Sequence, residues 1–262
     1  MNLSSEQPIR AWFRGAQRIL LVTGAGFSTG SGISDFRSPG GIWERYRPVP
    51  IQEFFASREA RIRYWRYKIE TREEFAGAAP NEAHRSLIEL QKDGRLLGVL
   101  TQNVDGLHQK AGIAEERVIE FHGSNARVGC LDCGEEAGWD SALKQWESGH
   151  RPPTCRTCGG WLKPRTISFG QEIPVVLMER ARRWARSCDF CVVVGTSLSV
   201  APASEYPRIA QKMGARVLIL NRTPISGVQW ADRIVLGEAE ERLPRWIRDA
   251  VSGPDSKEQK NS

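Results

Sequence analysis

In the stretch RLLGVLTQNVDGLHQKAGIAEERVIEFHGS (Arg95–Ser124), an apolar run of strand length is followed at once by amides, a carboxylate and, one short strand later, an imidazole. The segment Arg95–Leu100 lacks polar/apolar alternation, as expected of a strand covered on both faces of a parallel sheet. It delivers Thr101, Gln102, Asn103 and Asp105 to a loop, and a second strand over Arg117–Phe121 delivers His122 and Gly123. Such groups are costly to bury without partners, so their concentration at strand ends points to a site rather than a packing unit. Open α/β sheets bind their ligands at these ends.

Working outward, Arg18–Thr23 is a further buried strand, and the loop after it, GAGFSTGSG, holds Gly24, Gly26, Gly30 and Gly32. Glycine permits close approach of backbone N–H groups to phosphates and also tight turns, so a pyrophosphate cradle and a plain structural turn both remain open here. Thr29 stands where the third glycine of a dinucleotide fingerprint is expected. Asp35-Phe36-Arg37 and GGIWERYRP follow, forming a polar and aromatic loop able to fold over a ligand. Residues 8–17 form an amphipathic helix, residues 51–75 a helical insert whose apolar side is core or pocket lining, and Asn81 caps a helix running to residue 92 with His84 in its first turn. The Val-rich tail of CDFCVVVGTS is a buried strand ending in Gly195, Thr196 and Ser197. Residues 204–213 form a helix, Arg216–Leu220 a strand leading to Asn221-Arg222, Arg233–Leu236 a last strand, and 239–251 a last helix. Strands near residues 18, 95, 189, 216 and 233, most of them separated by helices, predict an α/β fold: a Rossmann-like, doubly wound parallel sheet whose strand ends suit a dinucleotide. The expected division is a discontinuous dinucleotide-binding unit (1–47, 77–123, 165–252), a helical insert (48–76), a cysteine-bearing module (124–164) and a disordered tail (253–262).

The six cysteines fall as three Cys-x-x-Cys pairs. Cys130/Cys133 and Cys155/Cys158, separated by 21 residues and each followed by a glycine, resemble a zinc ribbon in which four thiolates fill a tetrahedral shell. A closed shell makes the metal structural, and His150 is expected at the surface. Cys188 and Cys191 enter a strand rather than a helix, so they are expected as free core thiols and not a redox pair. The composition, 40% hydrophobic and 26% charged, is that of a globular protein, and no apolar run approaches the roughly 20 residues needed to span a bilayer. The apolar block Ile19–Val22 is too short for a signal peptide, which suggests a cytoplasmic protein with no membrane partner. A net charge of +6 comes from scattered residues, apart from a cluster at Arg180–Arg186, which argues against a nucleic-acid-binding face. A monomer is expected.

Several motifs, in order, resemble the sirtuins, NAD-dependent protein lysine deacylases: GAGFSTGSGISDFRS from Gly24, TQNVDGLH from Thr101, FHGS from Phe121, the two cysteine pairs, ISFGQ from Ile167, GTSLSVAP from Gly195 and LNR from Leu220. The resemblance implies NAD as a consumed co-substrate, with Gly24, Ala25, Gly26 and Ser28 at the pyrophosphate and Asp35, Phe36 and Arg37 in the cofactor loop. Gly195, Thr196, Ser197, Asn221 and Arg222 would surround the adenosine half. Gln102, Asn103 and Asp105 would line the nicotinamide and ribose pocket, and His122 would be the general base, with Asn103 and Asp105 also taking part in catalysis. An acyl-lysine peptide would add as a strand between Phe169-Gly170-Gln171 and the loop holding Leu198 and Val200, with Tyr64 and Tyr67 at the acyl pocket. The implied products are free lysine, nicotinamide and 2′-O-acyl-ADP-ribose; protein mono-ADP-ribosyl transfer in the same pocket and non-catalytic NAD sensing are the alternatives. This chain has Ser34 where the family usually has Pro and Gln171 for a common Glu. A branch that removes acidic acyl groups reads them with Tyr-x-x-Arg, whereas here Tyr67 takes the Arg place and Arg66 comes one early, so desuccinylation is not expected. The sequence IRYWRYK, together with CLDCGE at Cys130–Glu135, resembles the class II branch most.

Overall fold

The computed structural model describes residues 6–252; the tail expected to be disordered lies outside them. Six parallel strands form the main sheet: β1 (Ile19–Thr23), β2 (Leu96–Thr101), β3 (Val118–Glu120), β6 (Phe190–Val194), β7 (Arg216–Asn221) and β8 (Arg233–Leu236). Their spatial order is β3-β2-β1-β6-β7-β8, so the chain builds outward from β1 in one direction and then returns to build outward in the other. The reversal lies between β1 and β6, where successive loops must diverge and leave a crevice.

The unbroken apolar runs have a direct cause in the packing. Ile19 and Leu21 of β1, with Leu96, Val99, Phe190, Val192, Val194, Leu218 and Leu220, face a core closed by Ile9, Phe13, Leu87, Leu90, Leu243, Trp246 and Ile247. These come from helices Gln7–Gly15, Glu82–Lys92 and Ala239–Val251. Leu20 and Val22, with Leu100, Cys191, Val193, Val217 and Ile219, face Ala181, Ala185, Tyr206 and Ala210 on the other side. Each fully buried Leu, Ile or Val contributes roughly 2 kcal/mol, so a strand covered on both faces is filled with apolar residues, while Thr23 and Thr101 at the ends of β1 and β2 hydrogen-bond each other at 2.9 Å. Asn81 caps its helix as expected. Its side chain accepts from the His84 N–H at 3.2 Å, and its own N–H donates to His84 Nδ1 at 3.3 Å. Cys188 and Cys191 are free and buried in the second core, where burial pushes the Cys188 thiol up to about 12.

The inserted segments form a second body beside the strand ends. Strands β4 (Gly123–Cys130) and β5 (Leu162–Thr166) pair antiparallel, with helix Trp139–Glu147 between them in sequence. Their core is not their own: Val128, Cys130, Ala142, Cys155 and Leu162 pack with Val49, Ile51, Phe54, Ala60, Tyr64 and Trp65. The Trp65 indole N–H donates to the Leu162 carbonyl at 3.0 Å, and the Arg61 guanidinium lies 3.8 Å from the Trp161 ring centre. The helical insert and the cysteine-bearing segment, distant in sequence, therefore bury one common apolar surface.

Candidate active site

A cavity of about 710 Å3 runs between the strand ends of the sheet and this second body. On the sheet side the loops after β1 and β6 cross at very short range. A Cβ at Gly26 would meet the Gly195 Cα at 3.0 Å, and one at Gly24 would meet the Thr196 Cβ at 2.6 Å. Gly26 N–H donates to the Gly195 carbonyl at 2.8 Å. These glycines are thus required by the approach of two loops to each other, and the crossing leaves Gly24, Ala25, Gly26, Gly195, Thr196 and Ser197 along one cavity wall. Asn221 and Arg222, at the end of β7, extend it, with Arg222 donating to Thr29 Oγ1 at 3.1 Å and lying 3.4 Å from Glu238.

The loop after β2 carries a polar relay. The Ser28 hydroxyl donates to Asp105 Oδ2 at 2.8 Å and accepts from Asn103 Nδ2 at 3.0 Å, while Asp105 Oδ1 accepts from the Leu107 N–H at 2.9 Å. Burial raises the Asp105 carboxyl above its ordinary range, partly offset by the bonds from Leu107 and Ser28. Asn103 faces the cavity, but Ser28 and Asp105 do not line it. Ser28 and Asp105 sit behind Asn103, whose amide donates to the Ser28 hydroxyl. Gln102 lines the cavity and donates from Nε2 to Thr196 Oγ1 at 2.9 Å, tying the β2 loop to the β6 loop.

His122 reaches the cavity from the end of β3. Its Nδ1 lies 3.0 Å from the Gln102 carbonyl. A carbonyl only accepts, so the neutral ring carries its proton on Nδ1 and keeps its lone pair on Nε2. Burial lowers the imidazole pKa, as does the Arg37 charge, while the Gln102 bond opposes both. Burial and Arg37 thus favour the neutral ring, whose Nε2 lone pair is free to take a proton.

Asp35, Phe36 and Arg37 line the cavity in the loop after β1. Asp35 Oδ1 accepts from the N–H groups of Arg37 and Ser38 at 2.9 and 2.8 Å, which shapes the turn. Trp43, not singled out from sequence, joins this loop to the opposite side: its ring centre is 5.5 Å from Phe36 and 5.5 Å from Phe169, and Arg37 lies 4.3 Å above it. Phe169, Gly170, Gln171 and Val200 line the cavity. Leu198 does not. It adopts φ 51° and faces a separate pocket of about 360 Å3 with Arg208 and Trp230. Tyr64 and Tyr67 face the cavity, and so does Lys68. The signal for Lys68 was its position four residues after Tyr64, on one helix face.

Cys130, Cys133, Cys155 and Cys158 bring their sulfurs within 4.8 Å of one another. The Cys130–Cys158 and Cys133–Cys155 separations are 3.5 and 3.8 Å, against about 3.8 Å for the edge of a tetrahedron with zinc–sulfur bonds near 2.3 Å. Backbone N–H groups of Asp132 and Gly160 approach Cys130 Sγ and Cys158 Sγ at 3.4 Å each. Four thiols and no other ligand type fit a closed, structural Zn2+. His150 is exposed and bonds Thr154 at 2.9 Å.

A family model described as the Sir2 family matches residues 24–202. An NAD-dependent protein deacetylase 1 of Bradyrhizobium diazoefficiens is 42% identical over 232 residues, covering 88% of this chain and 91% of the relative. An NAD-dependent protein deacylase 2 of Archaeoglobus fulgidus is 37% identical over 235 residues, covering 89% and 91%. Among solved structures, a Sir2–p53 peptide–NAD+ complex superposes with a TM-score of 0.84 at 28% identity, covering 95% of this chain and 99% of that one. A second, described under the structural basis for the mechanism and regulation of Sir2 enzymes, gives 0.82 at 36% identity over 93% and 96%.

Proposed function

The chain belongs to the Sir2 family, and from that premise we propose that it is an NAD-dependent protein lysine deacylase, releasing free lysine, nicotinamide and 2′-O-acyl-ADP-ribose. The observation that carries the reading is the His122–Gln102 bond, which leaves a basic Nε2 in the same cavity as the crossed glycine loops and Asn103. NAD supplies the activated ribose and the leaving nicotinamide. Gly24, Ala25, Gly26, Ser197, Asn221 and Arg222 hold the dinucleotide, and the Asp35–Arg37 loop covers it. Asn103, oriented through Ser28 by Asp105, presents its free amide oxygen to the nicotinamide end. His122 Nε2 takes the proton that a ribose hydroxyl loses. The peptide adds as a strand beside Phe169, Gly170 and Gln171, a backbone-driven mode tolerant of sequence. Among the described residues no helix is long and apolar enough to cross a membrane; we place the enzyme in the cytoplasm as a monomer.

Incubation with NAD and an acetyl-lysine peptide, followed by mass spectrometry, tests this. Deacetylated peptide and 2′-O-acetyl-ADP-ribose should appear in equal amounts. Absence of peptide product with every acyl group sinks the reading, and ADP-ribose mass added to protein in its place supports transfer instead.

A further inference from the structure

The loop after β1 that lines the cavity with Asp35, Phe36 and Arg37 is closed on itself. Gly41, Ile42 and Trp43 donate their backbone N–H groups to the carbonyls of Ser38, Asp35 and Phe36 at 2.7, 2.9 and 3.1 Å, and Asp35 Oδ1 adds its bonds from Arg37 and Ser38. Residues 35–43 therefore behave as one piece, and their position over the cavity depends on how the two ends are attached. Ile33 at the front and Ile42 near the back enter a small apolar cluster with Phe75, Ala78, Val104 and Leu107. Apolar burial is non-directional, so it holds the loop down without fixing its angle.

The directional attachments are carboxylates. Glu74, on the short helix Arg72–Gly77, accepts the Ser34 backbone N–H with Oε1, and its Oε2 lies 3.8 Å from the Arg45 guanidinium. One side chain thus reaches both ends of the loop. Glu70, four residues earlier, accepts from the Tyr46 hydroxyl at 2.8 Å. The two contacts of Glu74 are unequal: Arg45 is 48% exposed, and an ion pair of that length at the surface is worth little. The Glu74 side chain itself is 21% exposed, so its bond from Ser34 is partly shielded from water. That bond exists only because residue 34 is not the proline usual in the family, since proline fixes φ but has no N–H to give. In place of a stiff residue this chain has an amide bonded to an ionised acceptor, which belongs to the stronger class of hydrogen bonds.

We propose that Glu74 is a positioning residue for NAD, holding the loop from Ser34 to Tyr46 over the cavity through the Ser34 N–H. The inference rests on the reading above, in which this loop covers the dinucleotide. Glu74 does not line the cavity, so it acts on the cofactor through the loop alone. NAD binds the fraction of molecules whose loop is in place, and its apparent affinity falls in proportion as that fraction falls. His122 and Asn103 follow β3 and β2 and touch neither end of the loop, so the chemical step is left as it was.

The test is a double-mutant cycle on the full chain, read by steady-state kinetics with NAD and an acetyl-lysine peptide and by calorimetric titration with NAD, which needs no turnover. Glu74→Ala should raise KM and Kd for NAD about fivefold or more, with kcat and the peptide KM within about twofold of the unaltered protein. KM does not depend on how much of a preparation is folded, so partial unfolding does not imitate this split. In a Ser34→Pro background there is no N–H for Glu74 to accept, and the same substitution should change both NAD constants by less than about twofold. Equal effects of Glu74→Ala in the two backgrounds, or an NAD affinity unmoved in the first, overturn the proposal. A loss spread over kcat and both KM values makes Glu74 a support of the fold alone and overturns it too. If Glu74→Ala does not fold, Glu74→Met keeps the stem, loses the acceptor and carries the same expectations. Failure of the unaltered protein to bind NAD overturns the reading beneath the proposal as well, whereas NAD binding without coupling between residues 34 and 74 overturns the proposal only.

Discussion

The two walls of the cavity are stabilised in different ways. The sheet wall rests on apolar layers covering both faces, and its polar groups lie at strand ends, joined in a relay from Asp105 through Ser28 to Asn103. The opposite wall rests on one smaller core shared by residues 49–65 and 128–162, two of whose members, Cys130 and Cys155, also belong to the four-sulfur cluster. Burial holds the first, whereas the second needs its metal. Chemistry common to many substrates belongs on the rigid side, and selectivity can be altered on the other without disturbing the sheet.

Cys130→Ser should have the largest effect and should fall on one wall. Structural zinc contributes on the order of 10 kcal/mol to the folding of small modules. Hydrogen exchange should show protection lost in β4, β5 and helix Arg58–Glu70 but kept in β1, β6 and β7, with less than one zinc per chain. Uniform loss would mean that the two walls form one cooperative unit. His122→Ala should act on the sheet side through chemistry alone, lowering kcat roughly 10²- to 10⁴-fold with zinc content unchanged. A smaller loss measured in steady-state kinetics would move the base elsewhere.

Ser28→Ala removes the hinge of the relay and leaves the Asp105 carboxylate and the Asn103 amide each one partner short. A buried unsatisfied group costs about 1–3 kcal/mol, so kcat/KM should drop roughly 10- to 100-fold. An unchanged value would show that Asn103 is oriented by other means. A last prediction concerns a pH dependence confined to the sheet wall. Burial lowers His84 to about 2 and His108 to about 3. Both rings are neutral in the folded and unfolded states above about pH 6.5. Below that, the unfolded chain takes up protons that the folded one refuses, so stability falls as pH drops, by up to about 1.4 kcal/mol per proton for each pH unit. Urea midpoints should decline between pH 7 and 5, and the decline should flatten in His108→Gln. Equal slopes in the two proteins would assign it to other groups.

The parallel sheet could be read from the chain because each strand is an apolar run bounded by small or polar residues, a pattern that needs no partner to be identified. The zinc site was legible for a similar reason: two Cys-x-x-Cys pairs carry their ligand geometry locally. Trp43 was not singled out, because its contacts to Phe36 and Phe169 join segments far apart in sequence. Ser28 and Asp105 were singled out, but nothing in the chain by itself shows that their side chains pair with each other across a separation of 77 residues. That pairing draws them behind the cavity wall.

Local chemistry was therefore settled in the sequence: the strands, the four thiols, and the amides and imidazole delivered to strand ends. Tertiary structure alone decided which of these line the cavity and which stand behind it, and it decided that Lys68, not Arg66, faces it. The reason is that burial is a nonlocal property. A lysine on an exposed helix face is solvated, whereas this one is buried beside Tyr64 and Tyr67 with Nζ donating to Asn125, 57 residues away.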